Sequence, residues 1–377
     1  MTDGRTRKVV VFGSACVDLL MRPERLPRPG VTVLAPTYEL LPGGKGANQA
    51  HACATASAKD DPEKDKGKVE FVGAVGADAF GDVLCRAFRE AGVGVSGLSV
   101  HDTLPTACAA VIVDEDGENQ IAVGSGANGA VVASRLRENG ASFRLQAGDV
   151  LLQQMEIPAA EVVEAVDIAH EAGAFSVLNV APSAPVPIET LRKLDFLIVN
   201  EHEAADVFRS LESSVAADDP VAQSRAIASM TGIAVIVTLG AEGAAACLPH
   251  RPAFSKTIVS AESRRLARDV VRVSAPDLAA GETIVDTTGA GDAFCGAFCA
   301  SLAAGHSLSV CLRRASVAGT LGCTKVGARA GVPKSDAIER LASDVDVRAD
   351  FGDDPDDAVV AALLAAPAAA WTRRAVA

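Results

Sequence analysis

Four short apolar runs, at residues 149–153, 175–179, 195–199 and 233–238, alternate with stretches of helical periodicity. A strand followed by a helix and another strand implies parallel strands joined by right-handed crossovers, so the chain is restricted to an open α/β sheet with helices on its faces. The same pattern says where chemistry belongs, because sheets of this kind bind ligands outside the carboxyl ends of their strands. Glu156, Asn179, Asn200 and Thr238 all fall at or just past such ends. The 49% hydrophobic fraction with only 4% aromatic residues makes Ala, Val, Leu and Ile the core, which suits a parallel sheet buried on both sides. A length of 377 residues leaves room for one large core and a small lid.

Other segments have a different pattern. Residues 8–13 read as a short buried strand, and 15–20 shift toward alternation around Asp18, as expected of a strand leaving the main sheet. Residues 32–41 could pair with it, and 107–114 with 119–124 form a hairpin across Glu115-Asp116-Gly117. Together they predict a small separate sheet from about 15–22, 32–42 and 106–125. Residues 59–68 and 249–270 read as polar insertions, and 343–377 as an extension that is acidic and then Ala-rich, leaving 8–342 as one domain.

The densest chemical signal is Val285-Asp286-Thr287-Thr288-Gly289-Ala290-Gly291-Asp292-Ala293-Phe294-Cys295-Gly296. Small residues opening into an apolar helix leave backbone N–H groups unpaired at the positive end of the helix dipole, where phosphate binds well. Asp292 could there take a proton from a hydroxyl attacking a phosphoryl group; alone, it could equally be a helix cap. A second glycine-rich lead-in, Gly43-Gly44-Lys45-Gly46-Ala47-Asn48-Gln49-Ala50, carries a cation and amides. Neither the P-loop pattern nor the protein-kinase motif set is present.

Taken with Gly13-Ser14 and Asp18, Gly117-Glu118-Asn119, Gly126-Ala127-Asn128, Gln154-Met155-Glu156-Ile157-Pro158, Asn200-Glu201-His202-Glu203-Ala204 and Thr238-Leu239-Gly240, these motifs make the chain resemble the ribokinase family of carbohydrate kinases over roughly residues 8–342. The resemblance implies a three-layer α/β sandwich with a mainly parallel central sheet and a small β lid. It implies ATP-dependent phosphorylation of D-ribose at O5, with Mg2+ and K+. Asp292 would be the general base, with the N–H groups of Gly289, Ala290 and Gly291 as anion hole. The sugar site would comprise Cys16, Asp18, Gly43, Gly44, Lys45, Gly46, Asn48, Glu156 and Asp292. Cys16 stands where some family members carry Asn.

On the nucleotide side the resemblance implies Asn200, Glu203, Thr238, Leu239, Gly240, Ala241, Glu242, Gly243, Gly291 and Ser316. Asn200 and Glu203 also read as an ordinary helix cap, and both roles can hold at once. A monovalent cation would sit against Asp286, Thr288, Gly322, Lys325, Gly327 and Gly331, the last occupying a position where Ser is common in the family. The family often dimerises through its lid, and a lid with one exposed face invites such pairing.

A formal charge of −13 disfavours electrostatic binding to nucleic acid or anionic lipid. Nine cysteines without a Cys-x-x-Cys pair, and no signal peptide, point to reduced thiols in the cytoplasm. The apolar tract 359–371 is too short to span a bilayer. On the same fold, deoxyribose, a nucleoside or another sugar are the alternative substrates, and a non-catalytic sugar-binding regulator is the alternative of another class.

Overall fold

The computed structural model describes residues 7–57, 68–212, 217–249 and 270–350, with backbone alone at 349 and 350. Residues 59–67, 250–269 and 351–377, most of the two expected insertions and of the tail, lie outside the described residues.

The main sheet contains β1 (Val9–Phe12), β4 (Val69–Gly76), β5 (Gly94–His101), β8 (Val150–Gln153), β9 (Phe175–Asn179), β10 (Phe196–Asn200), β11 (Ala234–Thr238), β12 (Ala244–Cys247), β13 (Val270–Val273) and β14 (Val347–Asp350), in the order β14-β13-β12-β11-β10-β9-β8-β1-β4-β5. From β5 to β11 every neighbouring pair is parallel, and β12, β13 and β14 add antiparallel strands at one edge. The smaller sheet has β2 (Cys16–Met21), β3 (Tyr38–Gly43), β6 (Ala107–Val113) and β7 (Asn119–Gly124) in the order β3-β2-β6-β7. Helices are α1 (Lys45–Ser57), α2 (Ala79–Glu90), α3 (Ala159–Ala172), α4 (Ile188–Leu191), α5 (Glu201–Ser210), α6 (Pro220–Thr231), α7 (Ala290–Ala303), α8 (Leu308–Gly322) and α9 (Ser335–Ala342).

Two cores lie on opposite faces of the main sheet, as the alternation of β1 shows: Val9 and Val11 enter one, Val10 and Phe12 the other. The first packs the sheet against α1, α2, α7 and α8, with Phe71 stacked on Phe88 at 4.5 Å; the second packs it against α3, α5 and α6. Each fully buried Val, Leu or Phe contributes about 1.5–3 kcal/mol by leaving water.

Two expectations shift. The strand sought at 32–41 runs instead from Tyr38 to Gly43, an edge strand that pairs with β2 through Pro42 up to the lead-in of α1. The main sheet continues past residue 342, where the sequence pattern ended the domain, to β14; Val345 and Val347 are buried there within an otherwise acidic stretch.

Candidate active site

Two helices begin beside one another at the strand ends. The turn before α7 needs Gly289, whose φ is 78° and where a Cβ would come within 2.6 Å of Ala328 Cα. That turn puts Asp292 in the first turn of α7, buried. The turn before α1 uses Gly44 at φ 84°, and Gly46 lets α1 approach the backbone of Ser14, since a Cβ there would lie 2.6 Å from Ser14 N.

The two helix starts share hydrogen bonds. Asn48 Nδ2 donates to Asp292 Oδ2 at 3.2 Å, and Gln49 Nε2 donates to Asp292 Oδ1 at 2.9 Å. Both amides are themselves held. Gln49 Oε1 accepts from Gln154 Nε2 at 2.6 Å, and Gln49 Nε2 also donates to Asn179 Oδ1 at 3.0 Å. Asn48 Oδ1 accepts from Arg329 Nε at 2.9 Å. Burial pushes the Asp292 carboxyl up, against the pull of Lys45 and the two amides. For Lys45 the balance is reversed: burial lowers its pKa, but Asp292, Glu156 and Glu203 outweigh that and leave it raised.

Of the expected anion-hole donors, Ala290 N turns aside to Thr287 O at 3.2 Å. The N–H groups of Gly289 and Gly291 have no hydrogen-bond partner among the described residues, and Gly291 is exposed. The N–H groups left free at this turn are therefore those of Gly289 and Gly291, while Ala290 N is engaged in shaping it.

A cavity of ≈ 1030 Å³ opens between this pair of helix starts and the small sheet. Cys16, Asp18, Gly44, Lys45, Asn48, Glu156 and Asp292 all line it, so most of the expected sugar-side residues are brought together from four parts of the chain. Glu156 Oε2 accepts from Ser14 Oγ at 2.6 Å and from Lys45 N at 2.8 Å, tying the β8 end to α1. Asn128 pins the base of the small sheet, exchanging two 3.0 Å bonds with the backbone of Ala15. Gly43 does not line the cavity but lies against the Asp18 carboxylate, which a Cβ would meet at 2.3 Å. Burial pushes Asp18 up to about 6, with Glu156 adding to it and Cys16 and Arg329 opposing. Burial and the Asp18 charge also raise the Cys16 thiol, which is neutral at physiological pH.

The expected nucleotide-side residues form a second group, none of which lines that cavity. Asn200 and Thr238 are register partners at the ends of β10 and β11. Asn200 Oδ1 accepts from Glu203 N and Glu203 Oε2 accepts from Asn200 N, both at 2.8 Å, completing a capping box on α5. Burial raises Glu203, and its charge acts on both Lys45 and Asp292, which connects the two groups electrostatically. Leu239 N bonds Gly243 O at 2.8 Å around an exposed turn of Gly240, Ala241 and Glu242, and Gly243 has φ 90°. Ser316 is buried and donates to Ser274 O at 2.7 Å.

Asp286 accepts from Thr288 N at 2.9 Å and from Gly327 N at 2.8 Å. Burial would raise its pKa, but these bonds outweigh that and hold it low. Val285 N and Asp286 N both reach Cys323 O, and a Cβ at Gly331 would strike Gly322 O at 2.2 Å, so the 286–288 and 322–331 loops close on one another. Lys325 is exposed. Among the described residues no group of three or more His, Cys, Asp and Glu is placed to hold a metal.

Sequence reasoning missed Gln49, Gln154 and Arg329 as members of the site. Gln49 and Gln154 sat inside the quoted motifs, but nothing local marks an amide as the partner of a distant carboxylate; Arg329 carried no signal at all.

Comparison with known proteins gives consistent matches over most of the chain. The family profile described as pfkB family carbohydrate kinase matches residues 6–335. The ribokinase of Schizosaccharomyces pombe is 33% identical over 329 residues, covering 86% of this chain and 94% of that protein. The structure of Arabidopsis thaliana ribokinase complexed with ribose and ATP superimposes with a TM-score of 0.72 at 28% identity, covering 90% of this chain and 99% of that one. Cryptococcus neoformans ribokinase in complex with ADP gives a TM-score of 0.69 at 29% identity, covering 89% and 100%.

Proposed function

The chain belongs to the pfkB family of carbohydrate kinases, and we propose that its reaction is transfer of the γ-phosphoryl group of ATP to O5 of D-ribose, giving ribose 5-phosphate and ADP. The observation that carries this reading is the meeting of Asp292, at an anion-binding helix start, with Asn48 and Lys45 in one cavity lined by further polyol partners.

Phosphoryl transfer needs alignment and charge compensation more than covalent help. Asp18, Asn48 and Glu156 hold the sugar through its hydroxyls, directing O5 toward Asp292. Asp292 takes the O5 proton as the new O–P bond forms and the bond from phosphorus to the bridging oxygen of ADP breaks. The N–H groups of Gly289 and Gly291 and the Lys45 ammonium balance the negative charge that shifts onto the phosphoryl oxygens. The Thr238–Gly243 turn and the Ser316 region border the nucleotide.

Mg2+ bound to ATP would supply further charge neutralisation, and the buried Glu203 carboxylate on the nucleotide side fits a metal that keeps its waters. A monovalent cation suits the 286–288 and 322–331 loops, where the Asp286 carboxylate, held ionised by the N–H groups of Thr288 and Gly327, would serve with backbone carbonyl oxygens. It would fix the backbone that leads into Gly289. The lid sheet supports a homodimer, and nine free cysteines suit the reducing cytoplasm. No helix among the described residues is long and apolar enough to cross a membrane.

Purified protein with Mg-ATP and K+ should form ADP when ribose is added. A panel of ribose, 2-deoxyribose and adenosine compared by kcat/KM tests the substrate. A nucleoside is disfavoured because no Phe, Tyr or Trp lines the cavity to stack on a base. Ribose-independent ATP consumption, or none with any sugar, would reject the reading.

A further inference from the structure

Arg329 lies on the loop between Gly327 and Gly331 and reaches the sugar-side cluster at Asn48. Its Nε donates to Asn48 Oδ1 at 2.9 Å, its charge acts on Asp18 and Asp292, and its Nη2 is buried with no hydrogen-bond partner. A buried N–H without an acceptor is costly. Space filling alone would favour a Met or Leu here, so the guanidinium must be retained for what it does to its neighbours.

We infer that Arg329 is a positioning residue for the phosphoryl-transfer step, acting through Asn48 to hold the Asp292 carboxylate in its working orientation; this rests on the kinase reading above. A side-chain amide has two nearly isosteric ends. With a donor fixed on Oδ1, Asn48 can offer only Nδ2 to Asp292 Oδ2, which is the arrangement observed. Without that donor the amide is free to rotate, and its oxygen would then face a carboxylate oxygen. Gln154 plays the matching part for the other carboxylate oxygen, donating to Gln49 Oε1 so that Gln49 Nε2 points at Asp292 Oδ1. The two amides are thus each oriented from behind, one by a neutral amide and one by a cation. The cation also sits where Asp18 and Asp292 add their charges, which a neutral donor could not offset.

The test is a steady-state comparison of the parent protein, R329M, R329K, N48A and the double variant N48A/R329M, with ribose and ATP each varied. R329M should lower kcat about 10- to 100-fold, the range for a small misplacement of a reacting group, while the KM for ATP stays within about twofold. R329K, which can still donate to Asn48, should recover most of the loss. N48A/R329M should be no more than about twofold slower than N48A, because the arginine acts through the amide that N48A removes. An R329M kcat within about twofold of the parent, or a double variant slowed by the product of the single effects, overturns the inference. An ADP-dependent rise in melting temperature certifies the fold of each variant, and if R329M lacks it, R329A, which likewise has no donor for Asn48, is judged by the same kcat and double-variant criteria. Turnover of ribose by the parent reports on the kinase reading separately, since the inference depends only on ratios to that parent.

Discussion

Asn48 Nδ2 lies 3.2 Å from Asp292 Oδ2, although 244 positions separate them in the chain. The bond joins the first turns of α1 and α7, two helices that pack side by side on one face of the main sheet. One start brings the groups that suit a polyol and the other brings a turn that suits phosphate. Their hydrogen bond makes the proposed base and its sugar-side neighbour a single unit. An ionised carboxylate has roughly four acceptor directions, and the amides of Asn48 and Gln49 occupy one on each oxygen. The remaining directions are left for a hydroxyl in the cavity that Asp292 lines.

Replacing Asp292 with Asn keeps the volume and removes the proton acceptor. Turnover should fall about 10²- to 10⁴-fold, while ribose affinity, held by Asp18, Asn48 and Glu156, changes far less. Steady-state kinetics and a calorimetric ribose titration of D292N give both quantities. Near-normal kcat in that variant would move the base elsewhere.

Gln49 is more exposed to failure than its position in a glycine-rich motif suggests. Gln49→Leu would leave Asp292 Oδ1, Asn179 Oδ1 and Gln154 Nε2 all short of a partner in a buried setting. Unsatisfied buried polar groups cost about 1–3 kcal/mol each, and partial relaxation should leave a net loss of about 2–4 kcal/mol in urea unfolding. The kcat should drop with it, since one carboxylate oxygen loses its guide. A stability change under about 0.5 kcal/mol would show that the amide cluster bears little weight.

Much of this architecture is written locally in the chain. The parallel strands and their polar ends follow from short-range periodicity, and Gly289 to Asp292 states an anion-binding helix start in four consecutive letters. The connections behind Asp292 are not local. Arg329 meets Asn48 across 281 positions, and Gln49 meets Gln154 across 105, so no window of sequence contains either pair. The lid strand lies at Tyr38–Gly43 rather than 32–41 because its pairing with β2 runs on through Pro42 to Gly43, which only the partner strand reveals. β14 was hidden for a related reason: Val345 and Val347 are too few to stand out from the acids around them, and only pairing with β13 makes 347–350 a strand.

Asp18 gives a pH test with a definite sign. Its carboxyl is raised from 3.8 to about 6, chiefly by burial, so between those values the folded protein holds more proton than the unfolded chain. Raising the pH through this window therefore costs stability, and above about 6 the penalty is complete. D18N removes the charge and should be about 1–2 kcal/mol more stable than the parent at pH 8. The advantage should shrink as pH falls through 6 and vanish below about 4. Urea melts at pH 8 and pH 4 measure it, and an equal difference at both values would rule out the buried charge as the cause. The same variant should bind ribose more weakly, because a carboxylate that accepts from hydroxyls is lost.

The loops at 286–288 and 322–331 predict a choice between alkali cations. A site built from carbonyl oxygens and one carboxylate held by backbone N–H groups has little freedom to contract around a smaller ion. Rates should be higher in K+ than in Na+ at equal ionic strength, and D286A should remove the difference. Equal rates in the two salts would deny the site; a preference that survives D286A would place the cation elsewhere.

The lid carries an apolar surface that a monomer leaves in water. Every residue of β7 is exposed, with Ile121 at 58% and Val123 at 64%, and Tyr38 on β3 is 63% exposed. β7 and β3 are also the two edges of that sheet, each offering unpaired backbone groups. Ile121 and Val123 share the cavity side of the sheet with Asp18, whereas Tyr38 lies on the other face, so a second copy of the chain laid against the cavity side at the β7 edge would cover the two β7 residues. Sedimentation equilibrium should return twice the chain mass, and I121D/V123D should return the single mass, because a charge buried against its own symmetry mate is strongly unfavourable. Ile121 and Val123 also line the cavity, as Cys16 and Asp18 do, and none of the nucleotide-side residues does, so I121D/V123D should lose ribose affinity while keeping its ATP KM, and assembly is read from the sedimentation alone. A parent protein that sediments as a monomer, or a double variant that remains a dimer, would separate the lid surface from assembly.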